Sequence, residues 1–350
     1  MMSPNAFVKS LGALALAGLL GACGPQIDGA AKQPAPLTPQ SQLALRDVIS
    51  SQLAPLQLGG SDYLLLASEK RGLVLVDAEG REQLALDGGT VERFALQQLE
   101  ENNWLVAVYD EDSGELQLRL LDLEEGSPRI RYLAAMATSA PQVAMCFSRQ
   151  AGRTHLFAVD ETGLGHEYVV HPREQAWQFT GVRPLYFGEQ VSSCVVDDRS
   201  GKLLVAQPPL GIWSLNADAE MDEAREVFAT AADLSANAFG GLWLDSARGN
   251  LWLTAGDRVL AFNINTPGAE PHFVEALAEM EPVSAAILQG ALLALEEESD
   301  QVHRFAVTLP EPAAEMQAFR APVEIPRVRA SGQTAPVQSC GDAADDPAIW

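Results

Sequence analysis

Positive charge is scarce in this sequence: 23 Lys and Arg stand against 47 Asp and Glu in 350 residues, a net charge of −24. Such a surface repels nucleic acid and anionic lipid headgroups, which argues against both as direct partners. It favours cations, Ca²⁺ in particular, because that ion takes carboxylate and carbonyl oxygens. Acidity of this kind also simply keeps a soluble protein dispersed. Zinc-ligand spacing is missing, since the 4 cysteines form no CxxC and no Cys/His pattern. His155, His166, His171, His272 and His303 are scattered, with no HExxH helix and no GxSxG elbow, so a Ser-His-Asp hydrolase has no support. Gly163-Leu164-Gly165 is too little for a nucleotide loop. Long helical periodicity is absent from Leu58 onward.

What is there instead is a succession of short apolar runs separated by Gly- and Asp-bearing turns. The clearest unit is Gln190 to Trp213: a β-branched strand, the turn Asp197-Asp198-Arg199-Ser200-Gly201, a second strand from Lys202, a break at Pro208-Pro209, and a third strand from Gly211. The turn recurs at Gly249, 48 residues on (249 − 201), and a predecessor at Gly163 lies 38 before (201 − 163). Several short strands per unit of this size are the signature of propeller blades. Six units fit between about Leu58 and Leu309. The expectation is all-β: a six-bladed β-propeller of four-stranded antiparallel blades over residues 51–310, with a disordered signal and tether before it and a disordered tail after it. Trp104, Trp213, Trp243 and Trp252 sit within strands as blade-packing residues.

The first residues read as an address. Lys9 precedes the apolar run Leu11 to Leu20, which is too short to span a bilayer and suits a signal sequence over 1–22. Leu20-Gly21-Ala22-Cys23 resembles the bacterial lipoprotein cleavage box, in which Cys23 becomes the lipidated first residue. That implies an exported lipoprotein held to the membrane through Cys23, and Gly24 in place of Asp points to the outer membrane. Residues 23–50, rich in Pro, Ala and Gln, read as a flexible tether. Cys146, Cys194 and Cys340 then remain, an odd number. A disulfide between Cys146 and Cys194 and two separate buried thiols are both open.

Residues 311–339 are Pro- and Ala-rich, a linker in composition, and Gly341 to Trp350, GDAADDPAIW, is a different kind of sequence. It is similar to the opening motif of the β-propeller phytases, six-bladed calcium-dependent phosphatases that act on inositol hexakisphosphate. Weaker echoes cover the preceding domain. Ser68 to Asp77 resembles the family's T-D-K-x-G-G-L-x-V-Y-D segment, Cys194 to Asp198 its C-V-V-D-D, and Gly211-Ile212-Trp213 its G-I-W. The resemblance implies a degenerate first propeller followed, from 340–350, by the start of a second phytase propeller in cis.

Departures from the family pattern bear on the chemistry. Ser192-Ser193 stand where the family reads E-G, Gln207-Pro208-Pro209 replace an acidic run, and Asn237 to Leu242 replace D-V-E-G-L. Each change removes carboxylates from loops that hold calcium in the family. The resemblance assigns calcium to Asp342, Asp345, Asp346 and the Pro347 carbonyl in a complete second domain, and a phosphate contact to Lys70. Asp197 and Asp198 read as turn formers. Two functions follow as expectations. One is a phytase-like phosphoric monoester hydrolase, acting on phytate or another phosphate monoester, to which this chain supplies a weak or inactive accessory propeller. The other is a non-catalytic propeller that binds or scaffolds at the outer membrane.

Overall fold

The computed structural model describes residues 35–312, apart from 87, 174–175, 189, 235–237 and 297–300. A first strand, β1 (Ser41–Ala44), is followed by five consecutive four-stranded sheets. Blade 1 is β2 (Leu53–Leu58), β3 (Ser61–Ser68), β4 (Gly72–Asp77) and β5 (Glu82–Leu86). Blade 2 is β6 (Phe94–Glu100), β7 (Asn103–Asp110), β8 (Glu115–Glu124) and β9 (Ser127–Ala137). Blade 3 is β10 (Gln142–Gln150), β11 (Arg153–Asp160), β12 (Leu164–Arg173) and β13 (Ala176–Tyr186). Blade 4 is β14 (Ser193–Asp197), β15 (Lys202–Gln207), β16 (Gly211–Asn216) and β17 (Glu226–Thr230), with one helical turn, α1 (Ala231–Leu234), behind it. Blade 5 is β18 (Phe239–Asp245), β19 (Asn250–Ala255), β20 (Arg258–Asn263) and β21 (Phe273–Ala276). Blade 6 has β22 (Pro282–Leu288), β23 (Ala291–Glu296) and β24 (Gln301–Ala306), and β1 supplies its fourth strand. All described pairings within the blades are antiparallel, as the alternation of runs and turns implies.

Burial explains the composition of the strands. A blade lies between two neighbours, so its inner strands are covered on both faces and read as nearly continuous apolar runs. β11 and β19 are buried almost throughout, whereas the outermost β9 and β13 alternate between exposed and half-buried positions. The turns owe their shape to Asp at the ends of strands. Asp77, Asp160 and Asp245 each accept a backbone N–H two to four residues on, from Glu79 at 3.1 Å, Thr162 at 2.9 Å and Arg248 at 3.1 Å. Asp197, 1% exposed, does the same for Arg199 and Ser200. One glycine is obligatory: Gly163 has φ +78°, and a Cβ there would stand 1.8 Å from the Gly188 carbonyl oxygen.

Two sequence expectations change. The tether over 23–50 is shorter than expected, because Ser41–Ala44 is the outermost strand of blade 6, with Leu43 opposite Val302. Leu43 and Leu45, 6% and 7% exposed, fill the core against Leu293 and Leu295. Burying a leucine contributes about 1.5–3 kcal/mol, which offsets the cost of ordering this segment. The repeat ruler also shifts. Gly163 lies between the second and third strands of its blade, whereas Gly201 and Gly249 lie between the first and second. The matching residue in blade 3 is Gly152, which gives a repeat of 49 (201 − 152) and then 48.

Candidate functional site

The innermost strands β2, β6, β10, β14, β18 and β22 surround a central channel. Its upper end, where these strands begin, is a cavity of about 130 Å³ bordered by Gln52, Arg93, Ser193, Gly240 and Ser284. Its lower end widens to about 440 Å³, between Pro55, Gln98, Phe147, Val196 and Asp245.

Around the upper end, polar side chains join one blade to the next. The Gln52 amide donates to the Phe94 carbonyl at 3.0 Å and accepts from the Phe94 N–H at 2.8 Å, linking blades 1 and 2. Ser51 donates to the Glu92 carbonyl at 2.6 Å across the same junction. A disulfide joins Cys146 of blade 3 to Cys194 of blade 4, with Cα atoms 5.7 Å apart. Ser193 donates to the Gly240 carbonyl at 3.1 Å and accepts from Leu242 N–H at 3.0 Å, linking blades 4 and 5. Gly240 also packs closely on blade 6, where a Cβ would stand 2.6 Å from the Val283 carbonyl oxygen. Ser284 accepts from the Leu53 N–H at 3.2 Å, which ties blade 6 back to blade 1.

The departures noted in the sequence are therefore neighbours in space. Ser193 and the stretch Gly240 to Leu242 bond to each other, and the replaced acidic run is equally engaged. Gln207, 5% exposed, donates to the Phe187 carbonyl at 2.9 Å and accepts from the Trp213 indole at 2.8 Å. Serine and amide groups engaged in these bonds supply no carboxylate to the loops in which the resemblance would place calcium. Lys70 sits exposed on the turn between β3 and β4, its backbone N–H received by the Ser68 hydroxyl at 3.3 Å, and it borders neither end of the channel. Cys23, Asn237, Asp342, Asp345, Asp346 and Pro347 lie outside the described residues.

Carboxylates do approach one another above blades 1 and 2. Burial raises the pKa of Glu111, the neighbouring Glu92, Glu69 and Asp112 add to the rise, and Arg93 opposes it. Among the described residues, however, no group of three or more His, Cys, Asp or Glu is placed to hold a metal ion.

Sequence reasoning missed one constellation. His155 of β11 and Glu167 of β12 meet at 2.7 Å, Nδ1 to Oε1, with Glu167 fully buried. Arg183 of β13 donates from Nε to the other oxygen, Oε2, at 2.7 Å, and from Nη2 to the Asn216 and Ala217 carbonyls of blade 4, at 3.1 Å each. Asp198, read from sequence as a turn former, instead accepts the Arg149 N–H of blade 3 at 2.9 Å. The signal was present in hairpin arithmetic. A turn at Gly163 pairs His155 with Val169 and Phe157 with Glu167, which puts His155 and Glu167 diagonally on one face.

No protein-family model matches the chain, and no curated protein matches it in sequence. Solved structures do. A structural-genomics protein of unknown function from Bacteroides thetaiotaomicron VPI-5482 superposes with a TM-score of 0.54 at 10% identity, covering 75% of this chain and 70% of that one. The Cps50 (Swd1) β-propeller domain of Myceliophteria thermophila gives a TM-score of 0.48 at 12% identity, covering 78% of this chain and 100% of that domain. At such identities the likeness is one of fold alone. The chain is a six-bladed β-propeller.

Proposed function

We propose that this propeller is a non-hydrolysing accessory module of a protein similar to the β-propeller phytases. In this reading it supports a phosphatase propeller in cis, whose opening residues are 340–350. Asp342, Asp345, Asp346 and the Pro347 carbonyl would hold Ca²⁺ in that second domain, which would act on phytate or another phosphate monoester. Lipidated Cys23 would tether the whole to the outer membrane.

The observation that carries this reading is the bond between Ser193 and the Gly240–Leu242 stretch. Two segments that resemble calcium loops of the family serve here as a joint between blades. An anionic phosphate ester also meets little cationic compensation on a chain of net charge −24. Lys70, a single exposed ammonium away from both ends of the channel, supplies too little charge to neutralise a phosphoryl group in transfer.

Phosphate release from phytate by the 350-residue chain, measured with Ca²⁺ and with chelator, tests the proposal. No calcium-dependent release is expected. Turnover that a chelator abolishes and that falls in Lys70→Ala would contradict it.

A further inference from the structure

The disulfide between Cys146 and Cys194 stands at the waist of the channel. Both cysteines border the lower cavity, Cys194 also borders the upper one, and each residue is only 6% exposed. We propose that this bridge is a redox-sensitive lock on the junction between blades 3 and 4, opened by a small dithiol reductant that enters from the lower end. The proposal is independent of the accessory role.

Hydrogen bonds, which a reductant leaves intact, close three other junctions at the upper end of the channel: Gln52 to Phe94, Ser193 to the Gly240–Leu242 stretch, and Ser284 to Leu53. Between the innermost strands β10 and β14 no side chain makes such a bond among the described residues, and the covalent bridge stands in its place. Other polar bonds across this junction lie lower or farther out. At the lower end Asp198 accepts the Arg149 N–H, and the Gln150 amide donates to the Ala217 carbonyl at 3.0 Å. Arg149, Gln150 and Asp198 border a cleft of about 560 Å³ there. Farther out, Gln207 donates to the Phe187 carbonyl, and Arg225 to that of Tyr186.

Around the bridge, Ala144, Phe157 and Val159 of blade 3 pack with Leu203 and Val205 of blade 4. Thiols suit these surroundings, because a free cysteine behaves as a small apolar residue. Reduction therefore loosens the junction at the channel while the outlying bonds keep the blades attached. Cys194 follows Ser193, so the loosened strand also bears on the joint to blade 5. The lower cavity, about 440 Å³, admits a molecule the size of dithiothreitol. One thiolate of that reagent attacks a sulfur of the bridge and releases the other as a thiol. Its second thiolate then closes the reagent's own disulfide and frees the remaining cysteine, so two electrons and two protons pass to Cys146 and Cys194.

Dithiothreitol treatment of the folded full chain, beside oxidised dithiothreitol, provides the test. Alkylation followed by peptide mass spectrometry should show Cys146 and Cys194 blocked only after reduction, without denaturant. The bridge spans 48 residues, so its loss should lower the melting temperature by about 10 °C. Amide hydrogen exchange should quicken in β10 and β14 and stay unchanged in β2 and β22, and reoxidation should restore both readouts. The double variant Cys146→Ser/Cys194→Ser should melt like the reduced protein and ignore dithiothreitol; the wild-type comparison does not depend on its folding. The proposal is overturned by a bridge that yields only in denaturant, by an unmoved melting temperature, by exchange that rises equally in β2 and β22, or by a response to dithiothreitol that persists in the double variant.

Discussion

The upper end of the channel and the cleft between blades 3 and 4 are both built from polar residues between blades, yet they differ in what those residues touch. At the channel, Gln52, Ser193 and Ser284 each bond to the backbone of the next blade. In the cleft, His155 bonds through Nδ1 to the Glu167 side chain, Asp218 accepts the Glu220 N–H of its own loop at 2.9 Å, and Glu220 borders the open cavity. The channel residues bond from blade to blade, whereas His155 and Asp218 bond within their own blade or loop. A polar side chain that satisfies the backbone of the next blade serves closure of the ring, and one that bonds within its own blade does not.

Substitutions can break that comparison, and the largest effect belongs to the cleft's support. Glu167→Ala leaves the buried Arg183 guanidinium with only the exposed Glu223 as counter-charge, at 3.3 Å, and should lower unfolding free energy by about 3 kcal/mol in denaturant titration. A loss below about 1 kcal/mol would show that the triad is not what braces the cleft. Ser193→Ala strands the Leu242 N–H at the joint between blades 4 and 5, and should cost about 1–2 kcal/mol by the same measurement. A neutral result would mean that the channel serines do no more for ring closure than the cleft residues.

Glu111→Gln should have the smallest effect, and its sign is set by the shift. The folded-state pKa of Glu111 is raised, chiefly by burial, so its contribution is present at low pH and is lost as pH rises through that value. Removing the charge should therefore raise the melting temperature slightly at neutral pH and leave it unchanged in acid. The opposite pattern would mean that the carboxylates above blades 1 and 2 are stabilised as anions, as in a cation site.

Much of the fold was legible in the residues. Turn-forming Asp at strand ends and apolar runs covered on both faces produce the blade repeat, and both are local properties. The ring closure was less so. Ser41 to Leu45 looks like tether by composition, and its role depends on a partner strand some 260 positions away in the chain (304 − 41 = 263 for the Ser41–Arg304 pair). Gly163 misled the ruler because turns at the two ends of a blade share the same Asp-to-Gly chemistry. The substituted channel residues were visible as departures from a family pattern, but their mutual bonding was not. Ser193 and Leu242 become neighbours only when blades 4 and 5 pack. His155 and Glu167 needed strand register to be seen, and the Asp198 contact to Arg149 needed the packing of two blades.

On the proposed reading, residues at the upper end of the channel hold blades together and bind no calcium. Its most direct test is the melting temperature of the chain with saturating Ca²⁺ and with chelator. An ion bound only to the folded state at about 100 times its Kd adds ~2.7 kcal/mol, a rise on the order of 5 °C for a domain of this size. The two melting curves should superimpose; a calcium-dependent rise of that size would contradict this reading.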